Sequence, residues 1–240
     1  MFHQIRLVRP GASVERAISG HIAPHGELFC RAGQPADRGA TADHSLYHAT
    51  ASGIRQACAA SLARLGTDYL DLYLLHWRGG VSDLSVVVDT FESLRAAGKI
   101  RAWGVSNFKV SDMEDLFRVS HGDRCATNQV LYNLGNRGIE HDLLPWCEQH
   151  SMPVMAYSPL GGLGASLLGD PIIGRIAAAH ACSAAAIALA WTIRNGHVIA
   201  IPESGAAEHV QENAVALSLT LTPDELHALD AAHPPPPPNR

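Results

Sequence analysis

Between residues 51 and 204 the chain alternates between two hydrophobic periods, and this alternation limits the possible folds more than any other feature of the 240 residues. Five short stretches dense in apolar residues read as strands buried on both faces: YLDLYLLHW at 69–77, IRAWGVSNF at 100–108, ATNQVLYN at 126–133, PVMAYSPL at 153–160 and HVIAIPES at 197–204. Between them the apolar spacing changes to three and four. Residues 53–65 place Ile54, Ala57, Cys58, Leu62 and Leu65 on one helical face, with Ser52 as candidate N-cap and Gly66 as stop. Residues 83–97 repeat this with Leu84, Val87, Val88, Phe91 and Leu94 before Gly98. Further helices are expected near 112–118, 141–149, 171–181 and 184–194. The last one opens on Thr222, Pro223, Asp224 and Glu225, where Thr222 and Glu225 can cap each other.

Strands separated by helices must pair in parallel, because each crossover returns the chain to the same end of the sheet. The spacing suits either an open doubly wound sheet or part of a (β/α)8 barrel, and periodicity does not choose between them. Polar groups recur where the strands stop: His76 after DLYLL, Ser106 and Asn107 after WGV, Asn128 and Gln129 within ATNQ, Tyr157 and Ser158 after VMA, and Pro202 to Ser204 after VIAI. Singly, each has an ordinary explanation. A histidine beside Trp77 is more often structural, Ser-Asn is turn chemistry, and Tyr157 alone would be core. Five consecutive strands ending in this way instead point to a ligand held along one rim.

The charge balance narrows the partner. Eighteen basic and 23 acidic residues give a net charge of -5 without long blocks of one sign, so neither nucleic acid nor an anionic membrane is an expected partner. No stretch approaches the ~18 apolar residues of a membrane helix, and MFHQIRLVRPG lacks the layout of a secretion signal. A cytoplasmic protein acting on a small molecule is the expectation. Cys30, Cys58, Cys125, Cys147 and Cys182 are scattered and odd in number, which suits thiols in a reducing compartment.

LGTDYLDLYLLHW, GKIRAWGVSNF, TNQVLYN, MPVMAYSPL and VIAIPES followed by ENA resemble the aldo/keto reductases over about residues 51–232. The resemblance implies an α/β fold of the parallel (β/α)8 TIM-barrel type, with about five recognisable βα units that match strands 4 to 8 of the family barrel. It also implies NAD(P)H-dependent reduction of an aldehyde or ketone. By that resemblance His76 orients the substrate carbonyl, Ser106, Asn107 and Gln129 bond the nicotinamide carboxamide, and Tyr157 stacks on the nicotinamide ring. Ser158, Leu160 and Ser204 match the pyrophosphate and adenosine-phosphate region, and Glu212 and Asn213 match residues that reach the adenine. The cofactor is thus NADP or NAD. Glu203 stands where relatives carry a lysine against the 2′-phosphate of NADP, and His209 where many carry arginine; a carboxylate there repels that phosphate and favours NAD. GGLGASLLGD at 161–170 lacks the G-x-G-x-x-G spacing and is expected to form a flexible cover near the cofactor.

Upstream of His76 the likeness ends. The family's proton donor is a tyrosine tuned by a lysine and an aspartate from the first three strands. The only lysines here are Lys99 and Lys109, both downstream of His76, and Tyr47, Asp37 and Asp43 stand outside any matching motif. Three further strand–helix units would need roughly 80 residues, more than precede the His76 strand. Residues 1–50 contain no lysine but five histidines; GASVERAISGH could form one helix and ELFC one short strand. The expected organisation is therefore an atypical segment at 1–50, disordered or out of frame, a partial barrel at 51–232, and a polyproline tail at 233–240. His44 and His48 are four apart, but an unordered segment accounts for them better than a metal site, and no metal is expected. Two functional readings remain: an aldo/keto reductase impaired by the missing aspartate, tyrosine and lysine, or a non-catalytic dinucleotide-binding or interaction remnant. Open barrel edges should oligomerise, aggregate or recruit the N-terminal segment.

Overall fold

The computed structural model describes residues 2–8, 20–22, 28–31, 49–79, 81–162 and 167–237. They fall into two units, Met1–Leu7 with Cys30–Asn128, and Val8–Phe29 with Gln129–Arg240. The expected helix at 11–21, Tyr47, His44 and His48 lie outside the described residues, apart from Gly20 and His21.

The first unit is built on two parallel strands, β4 (Leu70–Leu75) and β5 (Ile100–Ser106), with Leu70 opposite Ile100 and Leu75 opposite Val105. All six residues of β4 are buried, which explains its unbroken apolar sequence. Asp71, the exception in composition, pairs with Arg101 at 2.8 Å. Helix α1 (Ala51–Leu65) precedes β4 and α2 (Leu84–Ala96) links it to β5. Thr50, not Ser52, caps α1, its Oγ1 accepting from the Gly53 amide at 3.2 Å; Ser52 lies inside the first turn. Both are capping residue types, and the one with extended backbone takes the role. Gly66 ends α1 at φ 62°, as its sequence position implied.

Tyr73 and Trp103 lie abreast in the ladder and pack on Phe91 of α2, with ring centroids 5.6 Å apart in each pair. Their neighbours Leu74 and Gly104 point to the opposite face. A Cβ on Gly104 would stand 2.5 Å from the Thr127 carbonyl oxygen and 2.8 Å from Leu74 Cδ2, so only glycine fits. The chain approaching β6 runs beside β5, Ala126 N donating to Trp103 O and Val105 N to Thr127 O. Along the other edge of β4 lies β1 (Phe2–Val8), antiparallel, with Phe2 opposite Leu75 and Ile5 opposite Leu72. The short strands β2 (Gly20–Ile22) and β3 (Leu28–Arg31) complete the leading segment, β3 lying one residue on from ELFC.

In the second unit the strands run in the order β6 (Asn128–Leu131, in this unit from Gln129 on), β7 (Val154–Tyr157) and β8 (Val198–Ala200), with β7 and β8 parallel. Helix α4 (Leu143–Gln149) leads into β7, α5 (Pro171–Ala179) and α6 (Ala184–Ile193) lead into β8, and α7 (Ala207–Ala214) and α8 (Pro223–Ala232) follow. β2 lies against β8 and α7. α6 is apolar all round because it is buried from Ala186 to Thr192. Thr222 and Glu225 form the capping box read from sequence. α7 was not anticipated: it has no side-chain N-cap and only one buried residue, Asn213.

A buried ionic cluster fastens the end of this unit. Arg137, 7% exposed, bonds Glu140, Asp230 and the His233 carbonyl, each at 2.8 Å, while Tyr132 donates to Glu140 at 2.7 Å. The Arg137 and Arg194 guanidiniums lie 4.9 and 3.8 Å from the Trp191 ring centre. Cys58, Cys125 and Cys147 are buried free thiols, and burial pushes the Cys147 thiol up to about 12. Among the described residues, no single helix is long and apolar enough to cross a membrane.

Candidate functional site

In the first unit the chemistry gathers where β4 and β5 end. His76 follows β4 half-buried, its ring 5.5 Å from that of the exposed Trp77. Strand alternation carries His76 and Ser106 onto the face of Leu74 and Gly104, where Thr127 and the Leu74 side chain close over the glycine. Ser106 is fully buried. Asn107 turns the chain at φ 60°, a conformation that asparagine tolerates better than most residues. Its Nδ2 donates to the His76 carbonyl at 3.3 Å and to Ser106 Oγ at 3.0 Å. Three residues marked in the sequence thus meet at two adjacent strand ends. Phe108 comes next and is held from both sides. Its amide donates to Asn128 Oδ1 at 3.4 Å and its carbonyl accepts from Asn128 Nδ2 at 2.8 Å, so one side chain replaces a strand partner. Arg78 ties the loop after β4 to Asp112 and Asp115 of α3 (Val110–Arg118).

In the second unit Gln129, 4% exposed, donates from Nε2 to Met155 Sδ at 3.2 Å. Met155 and Tyr157 lie two apart on β7 and share a face, so the Gln129 amide and the Tyr157 ring are on the same side of these strands. Tyr157 is half-buried, and burial pushes its phenol above the usual range. Ser158 follows at φ 48°. Its carbonyl accepts from Asn133 Nδ2 and from the Gly161 amide, both at 2.9 Å. Leu160 is half-buried in the same turn, and Gly161 and Gly162 continue it at φ 94° and 76°. Beside it opens a cleft of about 310 Å³ lined by Leu131, Asn133, Asn136, Gly161, Asp170 and His233.

The remaining positions lie around the start and length of α7. Ser204 Oγ accepts from the Ala206 amide at 3.2 Å and donates to the Ala206 carbonyl at 3.1 Å, closing the turn before the helix. Glu203, His209 and Glu212 are exposed, whereas Asn213 is 5% exposed. Glu212 and Asn213 are adjacent in sequence and so point about 100° apart around the helix. One faces water and the other the interior.

Sequence reasoning noticed Asn128 without giving it a task and passed over Asn133 and Gly104. The available signal was the pair of asparagines bracketing a strand of only four residues, Asn128–Leu131. Amides at such positions can supply the hydrogen bonds that a short strand cannot.

The sequence model of the Aldo/keto reductase family matches residues 40–234. The chain is 54% identical over 183 residues to methylglyoxal reductase YeaE of Escherichia coli (strain K12), covering 75% of this chain and 64% of that protein. It is 34% identical over 177 residues to the uncharacterized oxidoreductase YtbE of Bacillus subtilis (strain 168), covering 73% of this chain and 60% of that one. The chain therefore spans less than two thirds of the length of these relatives. Among solved structures, an aldo/keto reductase from Klebsiella pneumoniae in complex with NADP and acetate is 52% identical, with a TM-score of 0.74 over 78% of this chain and 67% of that one.

Proposed function

The chain belongs to the aldo/keto reductase family, and from that membership we propose that it binds a nicotinamide dinucleotide and reduces the carbonyl of a small aldehyde or ketone. The observation that carries this reading is the gathering of His76, Ser106 and Asn107 at the ends of β4 and β5, where the Asn107 amide bonds the His76 backbone carbonyl and the Ser106 hydroxyl.

The residues present suit a nicotinamide. In the first unit Ser106 and Asn107 offer the donors and acceptors that a carboxamide needs; in the second Gln129 offers the same, and half-buried Tyr157 offers a flat face to a flat ring. Ser158, Leu160 and Ser204 are assigned to the pyrophosphate and adenosine phosphate, and Glu212 and Asn213 to the adenine. A reduced nicotinamide supplies the hydride. His76 donates a hydrogen bond to the carbonyl oxygen and so sets which face of the carbonyl is presented.

Exposed Glu203 favours NAD over NADP through repulsion of the 2′-phosphate, although the Klebsiella pneumoniae relative is in complex with NADP. The name of the Escherichia coli relative makes methylglyoxal the first substrate to try. We place the protein in the cytoplasm, with neither nucleic acid nor membrane as partner; of the outcomes expected for open barrel edges, β1 lying antiparallel along β4 favours recruitment of the leading segment.

The test follows reduced nicotinamide absorbance with methylglyoxal and with NADPH or NADH. Turnover that His76→Ala abolishes supports the reading; cofactor binding by neither NADPH nor NADH refutes it. A second reading, cofactor binding without turnover, is favoured by the position of the two lysines. Lys99 stands just before β5, at the end of the strand opposite Ser106, and exposed Lys109 precedes α3. Without a tuned proton donor the rate falls by about 10²- to 10⁴-fold, so the assay must reach that level.

A further inference from the structure

We infer that Asn133 is a positioning residue for the turn after β7, an inference resting on the reading above that Tyr157 and Ser158 meet the dinucleotide. Ser158 is held at φ 48°, which side chains with a Cβ adopt at a cost, and it precedes Pro159, whose ring further restricts the residue before it. Backbone of this kind costs on the order of 1–3 kcal/mol and persists only where its surroundings over-determine it. Here they act through the Ser158 carbonyl, which accepts from both Asn133 Nδ2 and the Gly161 amide.

Asn133 is itself fixed. It is 3% exposed, its Oδ1 accepts from the Gly135 amide at 2.8 Å, and its backbone exchanges hydrogen bonds with Asn136 at 2.9 and 3.2 Å. With Oδ1 occupied by Gly135, the amide can present only Nδ2 to Ser158. On the far side of the turn Gly162 adopts φ 76°, and a Cβ there would lie 3.7 Å from Ser158 Oγ. The serine is therefore gripped at its carbonyl by Asn133 and lies close under the glycine turn with its hydroxyl. Tyr157 is one residue back. Releasing the carbonyl lets Ser158 relax toward ordinary backbone and tilts the ring that precedes it. Asn133 thus acts on the cofactor through Ser158 and Tyr157.

Asn133→Asp isolates this role, because the carboxylate keeps the shape and still accepts from Gly135 but sets an acceptor against the Ser158 carbonyl. Asn133→Ala, which adds no charge, carries the same expectation should the aspartate variant fail to fold. NADH and NADPH are each titrated into the full chain by fluorescence, with Glu140→Gln, altered in the ionic cluster of the same unit, as the structural control. The Asn133 variants should bind the reduced cofactor that the wild type binds about tenfold more weakly, and Glu140→Gln as the wild type does. Amide exchange at Gly161, whose N–H shares the Ser158 carbonyl, should quicken in the Asn133 variants and not in Glu140→Gln. Wild-type binding matched within about twofold by the Asn133 variants overturns the inference and leaves the proposed function standing. Equal weakening in the Asn133 and Glu140 variants overturns it in favour of a merely structural role. A wild-type chain that binds neither NADPH nor NADH overturns the functional reading and the inference together.

Discussion

The turns that follow β5 and β7 solve one problem with different degrees of constraint. Each places a non-glycine residue in the left-handed region at the strand end, Asn107 at φ 60° and Ser158 at φ 48°. After β5 side-chain amides hold the turn at several points. Asn107 reaches the His76 carbonyl, and both the amide and the carbonyl of buried Phe108 are bonded by Asn128. Helix α3 begins two residues later. After β7 one carbonyl is gripped by a side chain, and two glycines follow with positive φ. The first turn is a fixed ledge suited to holding a small planar group. The second rests on one gripped carbonyl and on two glycines in conformations that other residues adopt only with strain, so fewer side chains hold it than hold the first.

If that contrast is right, substitutions in the two turns should separate stability from binding. The largest effect is expected from Asn128→Ala, which strips the Phe108 amide and carbonyl of their partner in a dry setting; denaturant melts should show a loss of about 3 kcal/mol. A loss near zero would mean that the ledge is not fixed. Gly104→Ala comes next, because its Cβ meets a backbone oxygen at 2.5 Å that cannot rotate away. The expected cost is about 2 kcal/mol by the same melts, as β5 shifts against its neighbours.

A smaller, pH-dependent effect is expected in the second unit. Burial alone would raise the Glu140 carboxyl, but the Arg137 and Tyr132 hydrogen bonds and the nearby Arg194 charge outweigh it and hold the group below the usual glutamate range. A depressed carboxylate stabilises the fold above its unfolded pKa, and that contribution disappears as pH falls through the folded value. Wild-type stability should therefore drop on acidification below about pH 4.5 more steeply than that of Glu140→Gln, by about 1 kcal/mol. Parallel acid curves for the two proteins would contradict this. The smallest change in stability is expected from Glu203→Lys, which alters an exposed side chain; calorimetric titration should show NADP tightened relative to NAD while the melt hardly moves.

Much of the fold was legible because periodicity reports burial directly. The five strand cores and the helices on either side of β4 follow from apolar spacing, and the Thr222 capping box from residue types at fixed offsets. The cap of α1 was misplaced by two residues because Thr50 and Ser52 are chemically interchangeable and only backbone geometry separates them. α7 escaped notice because a helix with one buried residue leaves no stripe to read. His76, Ser106 and Asn107 could be marked because polar side chains after apolar runs stand out. Asn133 could not, since its importance lies in a bond to Ser158, 25 residues away, that no local pattern encodes.

The indole of Trp191, with two guanidiniums within 5 Å of its centre, has an optical consequence. The other fully buried indole, Trp103 of the first unit, donates its Nε1 proton to the Glu92 carboxylate at 2.7 Å. One chromophore sits beside cations and the other donates to an anion, so the two indoles stand in different local fields. With Trp77 and Trp146 replaced by phenylalanine, each unit keeps one buried indole, Trp103 in the first and Trp191 in the second, as its own reporter of melting without any added label.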